Sequence, residues 1–296
     1  MIAISADRLS KKYKRNVALN LATFEIPKGS VAALVGKNGA GKSTLLHVLA
    51  GLAKVDSGHV TVNGSSPSQN STWLSQIGFV DQVASLPSQY SLKKLSRLGS
   101  DLNTTWNDEL LFQRSEQLEI SPDRRVENLS GGQKHAVAVL LALAKEPAVV
   151  LLDEPLASLD PISRRTLLGI FLSHAYENAS TILLSSHLVG DLERACDHIV
   201  LLSKGSVLLS HSIDEVVGAH FWVTNSHTTK ALLDSLMVSP LECWIELDSK
   251  LLVCTSNAAL VNQLDAKPAG LEEIVIARMT GSSLYRSSTN TTEAPN

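Results

Sequence analysis

Short apolar runs, broken by turn and capping residues, recur along most of the chain, and their length separates strands from helices. Ile2 to Leu9 and Ala18 to Ile26 read as two strands of a hairpin-like opening. Ser30 to Val35 is continuously apolar after its first residue and ends at Gly36, the pattern of a buried strand. Lys42 to Ala50 then has helical character, and Val60 to Asn63 and Ile77 to Val80 are further short strands. Residues 91–120 are more polar and helical, a candidate subdomain. Gly132 to Lys145 is a long Ala/Leu/Val helix, stopped before Pro147 because the residue preceding a proline is pushed out of the helical region. Val149 to Leu152 is another buried strand, Ile162 to Tyr176 a helix, and Thr181 to Leu184 and Ile199 to Leu202 are strands. Alternation of this kind predicts an α/β domain with a mostly parallel sheet, over residues 1–218.

A seam falls near Val217 to His220. Beyond it, residues 219–280 predict a small α/β extension. Phe221 to Thr224 reads as a strand and Lys230 to Met237 as a helix. Cys243 to Leu247 and Leu251 to Thr255 flank an Asp248-Ser249 turn as a hairpin, and Ala258 to Leu264 and Leu271 to Met279 close with helices. The stretch 281–296 is polar and rich in Ser and Thr, which predicts a disordered tail. No internal repeat is present.

Composition narrows the classes. The 296 residues carry 26 Lys+Arg against 29 Asp+Glu, a net charge of −3, which argues against a protein that holds nucleic acid through a dominant basic surface. The longest purely apolar run, Ala136 to Ala144, is far short of the roughly 20 residues a membrane-spanning helix needs. The opening MIAISADRLSKKYK has no apolar signal segment, so the chain is expected to stay inside the cell. Cys196, Cys243 and Cys254 form no metal-ligand spacing and no disulfide framework, which fits a reducing cytoplasm.

The chemistry begins at Gly36-Lys37-Asn38-Gly39-Ala40-Gly41-Lys42-Ser43, which fits G-x-x-x-x-G-K-[ST] between an apolar strand and a helix. Glycines let backbone N–H groups turn inward around phosphate oxygens, Lys42 reaches the β and γ phosphates, and Ser43 offers a hydroxyl to Mg²⁺. Val149 to Glu154 is an apolar strand ending in two carboxylates. Asp153 is suited to hold Mg²⁺, and Glu154 to polarise an attacking water. A core strand with two solvated acids at its end would look the same in isolation. Leu129-Ser130-Gly131-Gly132-Gln133 directly precedes the long helix. Its glycines can expose N–H groups to an anion and Ser130 can donate or cap, although an ordinary capped helix after a Ser-Gly-Gly turn would also read this way.

Taken in this order, the three motifs resemble those of the nucleotide-binding subunit of an ATP-binding cassette (ABC) transporter. The resemblance covers residues 1 to about 215, and the LSGGQ pentapeptide is its specific part. It implies a P-loop NTPase fold with a helical signature subdomain, and an ATPase that uses ATP and Mg²⁺. It further implies that Tyr13, in KKYKR, stacks on adenine and that the loop Gly36 to Ser43, with Thr44, binds the phosphates. By the same resemblance Gln82, in IGFVDQ, contacts Mg²⁺ and the attacking water. Asp160, in ASLDP, communicates across a dimer, and His187, in LLSSH, contacts the γ-phosphate. Lys42, Gln82, Glu154 and His187 are then the catalytic set, and Ser43, Gln82 and Asp153 the metal ligands. In the family two subunits pair head to tail around two ATP molecules. Each nucleotide touches the phosphate loop of one subunit and the Ser130, Gly131, Gly132 and Gln133 positions of the other. With one copy of each motif, this chain is expected to need a second nucleotide-binding subunit and a transmembrane permease, and to sit on the inner face of the cell membrane.

The sequence departs from the family after Gln133, where it runs Lys134-His135-Ala136-Val137 in place of the usual Arg and Gln. Val83 to Asn128, the part that meets the transmembrane subunit in the family, matches only loosely. Pro268 to Gly281 looks like the ending of ATPases from ABC-2-type exporters, which favours export; a generic amphipathic helix is the alternative. Two other classes compete. A non-transport ABC ATPase acting on nucleic acid or ribosomes would carry two cassettes or long inserted coiled coils, and neither is present. A catalytically dead module would have lost Lys42, Glu154 or His187, and all three are present.

Overall fold

In the computed structural model, whose described residues are 1–67, 70–236, 243–247, 249–280 and 284–286, a long hairpin opens the chain. Strands β1 (Ile2–Tyr13) and β2 (Asn16–Pro27) pair antiparallel from Ile2 opposite Pro27 to Tyr13 opposite Asn16. Both outrun their predicted lengths, because the polar Ser10–Tyr13 end is held by cross-strand pairing that its composition does not advertise. Then come β3 (Val31–Val35), α1 (Lys42–Leu49), β4 (Ser57–Val62), α2 (Ser71–Gln76) and β5 (Ile77–Val80). The predicted helical stretch 91–120 divides into α3 (Leu92–Leu102), capped by Ser91, and α4 (Asp108–Gln117), capped by Asn107. Between them the Trp106 ring lies over Gly99, where any Cβ would collide with it.

A short 3₁₀ turn, Val126–Asn128, leads into α5 (Gly131–Ala144). The unit continues through β6 (Val149–Leu152), α6 (Pro161–Asn178), β7 (Thr181–Ser186), α7 (Val189–Leu192), β8 (His198–Ser203) and β9 (Ser206–Ser212). Among the described residues, the main sheet runs β5-β6-β7-β3-β8-β9, and β5 through β8 pair in parallel. Every residue of β3, β6 and β7 is buried, as a sheet covered on both faces requires. A second, antiparallel sheet, β2-β1-β4, shares a core with it: Leu9, Leu19, Ile26, Leu45, Leu49 and Val200 are all fully enclosed. Each such aliphatic side chain contributes about 1.5–3 kcal/mol by leaving water. The register sets Val35 beside Ser186 and Leu152 beside both Val80 and Leu184. The loops after β3, β5, β6 and β7 therefore leave the same edge of the sheet, where open α/β folds place ligands.

The chain forms two compact units, Met1–Ser210 and His211–Asn296. In the second, α8 (Ile213–Ala219) opens with a capping box between Ser212 and Glu215. It is followed by β10 (His220–Thr224), α9 (His227–Leu236), β11 (Cys243–Leu247), β12 (Lys250–Cys254), α10 (Ala258–Gln263), β13 (Lys267–Pro268), α11 (Leu271–Thr280) and β14 (Leu284–Arg286). The sheet order β13-β10-β12-β11-β14, entirely antiparallel, is a split βαβ arrangement with one added edge strand. Val223, Leu233, Trp244, Leu251, Val253 and Leu260 form its core, and α11 buries Leu271, Ile274, Val275 and Ala277. The predicted seam at Val217 to His220 lies inside this unit, because α8 packs on α11 and His220 is enclosed. Its Nδ1 meets Val216 O at 2.7 Å and its Nε2 meets Arg278 at 2.8 Å; burial, then the Arg278 charge, pushes its pKa down to about 4. Of the expected tail, Leu284–Arg286 is a strand and the rest of 281–296 lies outside the described residues. No helix among the described residues is long and apolar enough to cross a membrane.

Candidate functional site

The loop 36–41 ends at Gly41, the N-cap of α1, which lies at φ 109° and offers no side chain to the helix start. A side chain there is excluded twice, by the backbone angle and by Ala18 O only 2.4 Å from where a Cβ would stand. The first-turn N–H groups, flanked by the half-buried Ser43 and Thr44, are thus left to face an anion. Gly36 and Ala40 are buried, while Lys37, Asn38 and Gly39 form the exposed lip of the loop.

Lys42, on the first turn, is only 7% exposed. Its Nζ donates to Gly36 O at 2.8 Å and stands 3.4 Å from Glu154 Oε1. The other oxygen of Glu154 accepts from His187 Nδ1 at 2.9 Å. Glu154 is buried and holds φ 48°, a left-handed conformation that costs a non-glycine residue about 1–2 kcal/mol. A buried ion pair is weak evidence of stability, since desolvation offsets much of the attraction, so the pair points to chemistry rather than to folding. Asp153, next door, is enclosed: its N–H donates to Val80 O at 2.9 Å and its Oδ1 accepts from Ser185 Oγ at 2.5 Å. Its Oδ2 is buried without a hydrogen-bond partner.

That orphaned oxygen is the test of a hard cation here, and it passes. An enclosed carboxyl oxygen one residue before Glu154, which meets Lys42, suits Mg²⁺, which takes one or two carboxylates and fills its shell with hydroxyl, water and phosphate oxygens. Among the described residues no group of three or more His, Cys, Asp or Glu side chains gathers for a metal.

The structure thus brings together Lys42, Asp153, Glu154 and His187, and adds Ser185, which sequence reading passed over. The one signal for it was a hydroxyl directly after the apolar run Ile182 to Leu184, two residues before His187. Gln82 is not joined to them by any hydrogen bond among the described residues. It is exposed two residues beyond β5, its backbone N–H donating to Asp81 Oδ1, whose other oxygen meets His47 Nε2 at 3.2 Å. Tyr13 ends β1, half exposed, with Lys11 Nζ 5.3 Å from its ring centre. Its end of the hairpin lies beside the phosphate loop, because Ala18 packs on Gly41.

The Ser130 to Gln133 turn stands apart. Ser130 Oγ accepts from Gln133 N, and Gln133 Oε1 accepts from Ser130 N, both at 3.1 Å, a complete capping box on α5. Gly132 is needed by the fold: a Cβ would strike Ser158 O at 2.4 Å. Gly131 is not, since a Cβ there would meet nothing. Asp160 caps α6, accepting from Ile162 N, Ser163 N and Ser163 Oγ; the Ser163 hydroxyl, then its N–H, holds the carboxyl below its ordinary pKa. His135, on α5, is buried; desolvation lowers its pKa and the Asp153 charge pulls it partly back.

The arrangement couples an ammonium and a helix N-terminus, suited to phosphate, with a carboxylate held by an imidazole, suited to taking a proton. Comparison with known proteins agrees. The ABC transporter family model matches residues 19–157. The probable sulfate/thiosulfate import ATP-binding protein CysA of Chlorella vulgaris is 34% identical, covering 73% of this chain and 93% of its own. The Nod factor export ATP-binding protein I of Rhizobium johnstonii is 30% identical, covering 95% of each chain. A solved ATP-binding subunit of an ABC transporter superposes with a TM-score of 0.65 at 26% identity, covering 72% of this chain and 91% of that one. This chain belongs to the ABC transporter family as an ATP-binding subunit, an ATPase with the P-loop NTPase fold that powers a transporter.

Proposed function

We propose that the transporter served by this subunit is an exporter, of the ABC-2 type. The observation that carries this direction is the extent of the likeness. The export relative aligns with 95% of the chain, which must include most of His211–Asn296, whereas the import relative aligns with 73%. The test is to tag the chain in its own cells, solubilise membranes gently and identify what co-purifies. A polytopic permease in near-equal amount, with no extracytoplasmic solute receptor, supports export. A permease accompanied by such a receptor overturns it.

In the same reading, Tyr13 stacks on adenine, and the N–H groups of 36–41 with Lys42, Ser43 and Thr44 hold the triphosphate. Asp153 Oδ2 and Ser43, with Gln82, would hold Mg²⁺, which supplies neutralisation of phosphate charge when bound. Glu154 takes the proton of the attacking water as its oxygen bonds to the γ-phosphorus and the bond to ADP breaks; His187 fixes the carboxylate for that transfer. Ser130, Gly131, Gly132 and Gln133 face the nucleotide of a second subunit paired head to tail, and Asp160 lies at that interface. The permease docks on the inner face of the membrane at a cavity of about 550 Å³ lined by Phe79, Val83, Leu98, Leu102 and Trp106, whose Val83 and Leu102 are exposed apolar side chains.

A further inference from the structure

We propose that Ser185 is a positioning residue for the hydrolytic site, one hydroxyl that aims both the Asp153 and the Glu154 carboxylates. Three observations carry it. The first is placement. Ser185 follows Ile182, Leu183 and Leu184 in the middle of an enclosed sheet and is itself 0% exposed. A hydroxyl is costly there unless it is bonded. The register pairs Leu152 with Leu184, so the next residues, Asp153 and Ser185, come side by side just where β6 ends.

The second observation is the bonding. The Ser185 O–H donates to Asp153 Oδ1 at 2.5 Å, and Ser185 Oγ in turn accepts the Glu154 N–H at 2.8 Å. The donor of the hydroxyl is thereby committed, and of the two Asp153 oxygens Oδ2 is the one left without a partner. The carboxylate cannot turn without giving up its Ser185 bond, so its free oxygen keeps one direction. The third observation is the backbone of Glu154, at φ 48°. The bond from its N–H to Ser185 restrains the strained peptide. That conformation delivers the carboxylate to Lys42 at 3.4 Å and His187 at 2.9 Å. Without the hydroxyl the peptide can relax toward extended backbone, which swings the carboxylate away from both partners.

The inference rests on the reading of Asp153 as a metal ligand and Glu154 as the base, and the experiment separates the two. Nucleotide affinity is measured by fluorescent ATP analogue in EDTA and in Mg²⁺, beside turnover, for wild type, Ser185→Ala, Asp153→Asn and Glu154→Gln. For Ser185→Ala the expected result is affinity in EDTA within about twofold of wild type, a Mg²⁺-dependent gain in affinity reduced about fivefold or more, and kcat reduced about thirtyfold or more. A Ser185→Ala protein with the full Mg²⁺ gain and kcat within threefold of wild type overturns the proposal. Full turnover in Glu154→Gln, or a full Mg²⁺ gain in Asp153→Asn, would instead bring down the underlying site reading. Should Ser185→Ala not fold, Ser185→Cys keeps the volume with a weak S–H donor. It is expected to lose part of the Mg²⁺ gain and about three- to tenfold in kcat, and wild-type values in it overturn the proposal equally.

Discussion

The strand-end cluster and the signature turn are built on opposite plans. Lys42, Asp153, Glu154, Ser185 and His187 come from the ends of two parallel strands and the first turn of a helix, are mostly buried, and bond to one another. Ser130 to Gln133 is one short stretch, exposed at Ser130 and Gly131, whose polar side chains answer only to their own helix. A mutation in the first should damage chemistry inside this subunit. A mutation on the outward side of the second should matter only when another molecule meets it. The two glycines of the turn carry this contrast within one dipeptide, since Gly132 is packed against Ser158 and Gly131 faces open space.

The largest effect should come from the buried cluster. Glu154→Gln is expected to lower kcat by about 10²–10⁴-fold while ATP still binds, as removal of a positioned base does; phosphate release and equilibrium binding on the same preparation check both halves. Comparable turnover in the variant would dissolve the distinction drawn above. The glycine pair sharpens it. Gly132→Ala should cost about 1–3 kcal/mol of stability through overpacking, read as a lower melting temperature. Gly131→Ala should melt like wild type yet lose roughly tenfold or more in turnover, the effect of blocking an N–H to an anion, and unchanged turnover would strip the turn of its proposed contact. A smaller effect is expected at the hairpin end. Tyr13→Ala should raise KM for ATP by roughly 5- to 30-fold, about 1–2 kcal/mol of stacking, with kcat nearly unchanged. A loss confined to kcat would argue against adenine on that ring.

The smallest effect concerns His135, which lies on α5 just past the turn and feels the charge of Asp153. Its folded pKa is below the ordinary value of 6.5, so the unfolded chain binds the proton more readily. The stability it confers is complete above about pH 6.5 and is lost as the pH falls below it. Urea midpoints at pH 7.5 and 5.5 should therefore differ more in wild type than in His135→Gln, and equal differences would refute the effect.

The same contrast explains what could be read along the chain. Gly36–Ser43, Val149–Glu154 and Ser130–Gln133 are contiguous, so the spacing of a few residues carried their chemistry. The α/β alternation was legible too, because β3, β6 and β7 are apolar throughout. Ser185 was not, because its role depends on a cross-strand register that sets it beside a residue 32 positions away. The break between α3 and α4 was hidden for a related reason: it depends on the Trp106 ring lying against Gly99, with Nε1 bonded to Asp108. The polar end of β1 gave no periodic signal, and pairing alone makes it a strand.

The reciprocal bonds between Ser130 and Gln133 also bear on the entropy of assembly. An exposed turn of two glycines flanked by free polar side chains would bring many conformers to any encounter, and docking would have to freeze them. Here both side chains surrendered their rotamer freedom when α5 folded. A partner that docks on this lip is therefore spared about 0.5–1.5 kcal/mol of ordering for each side chain so fixed. The gain falls equally on every encounter with such a partner, so it eases docking without adding contacts that would hold the partner longer.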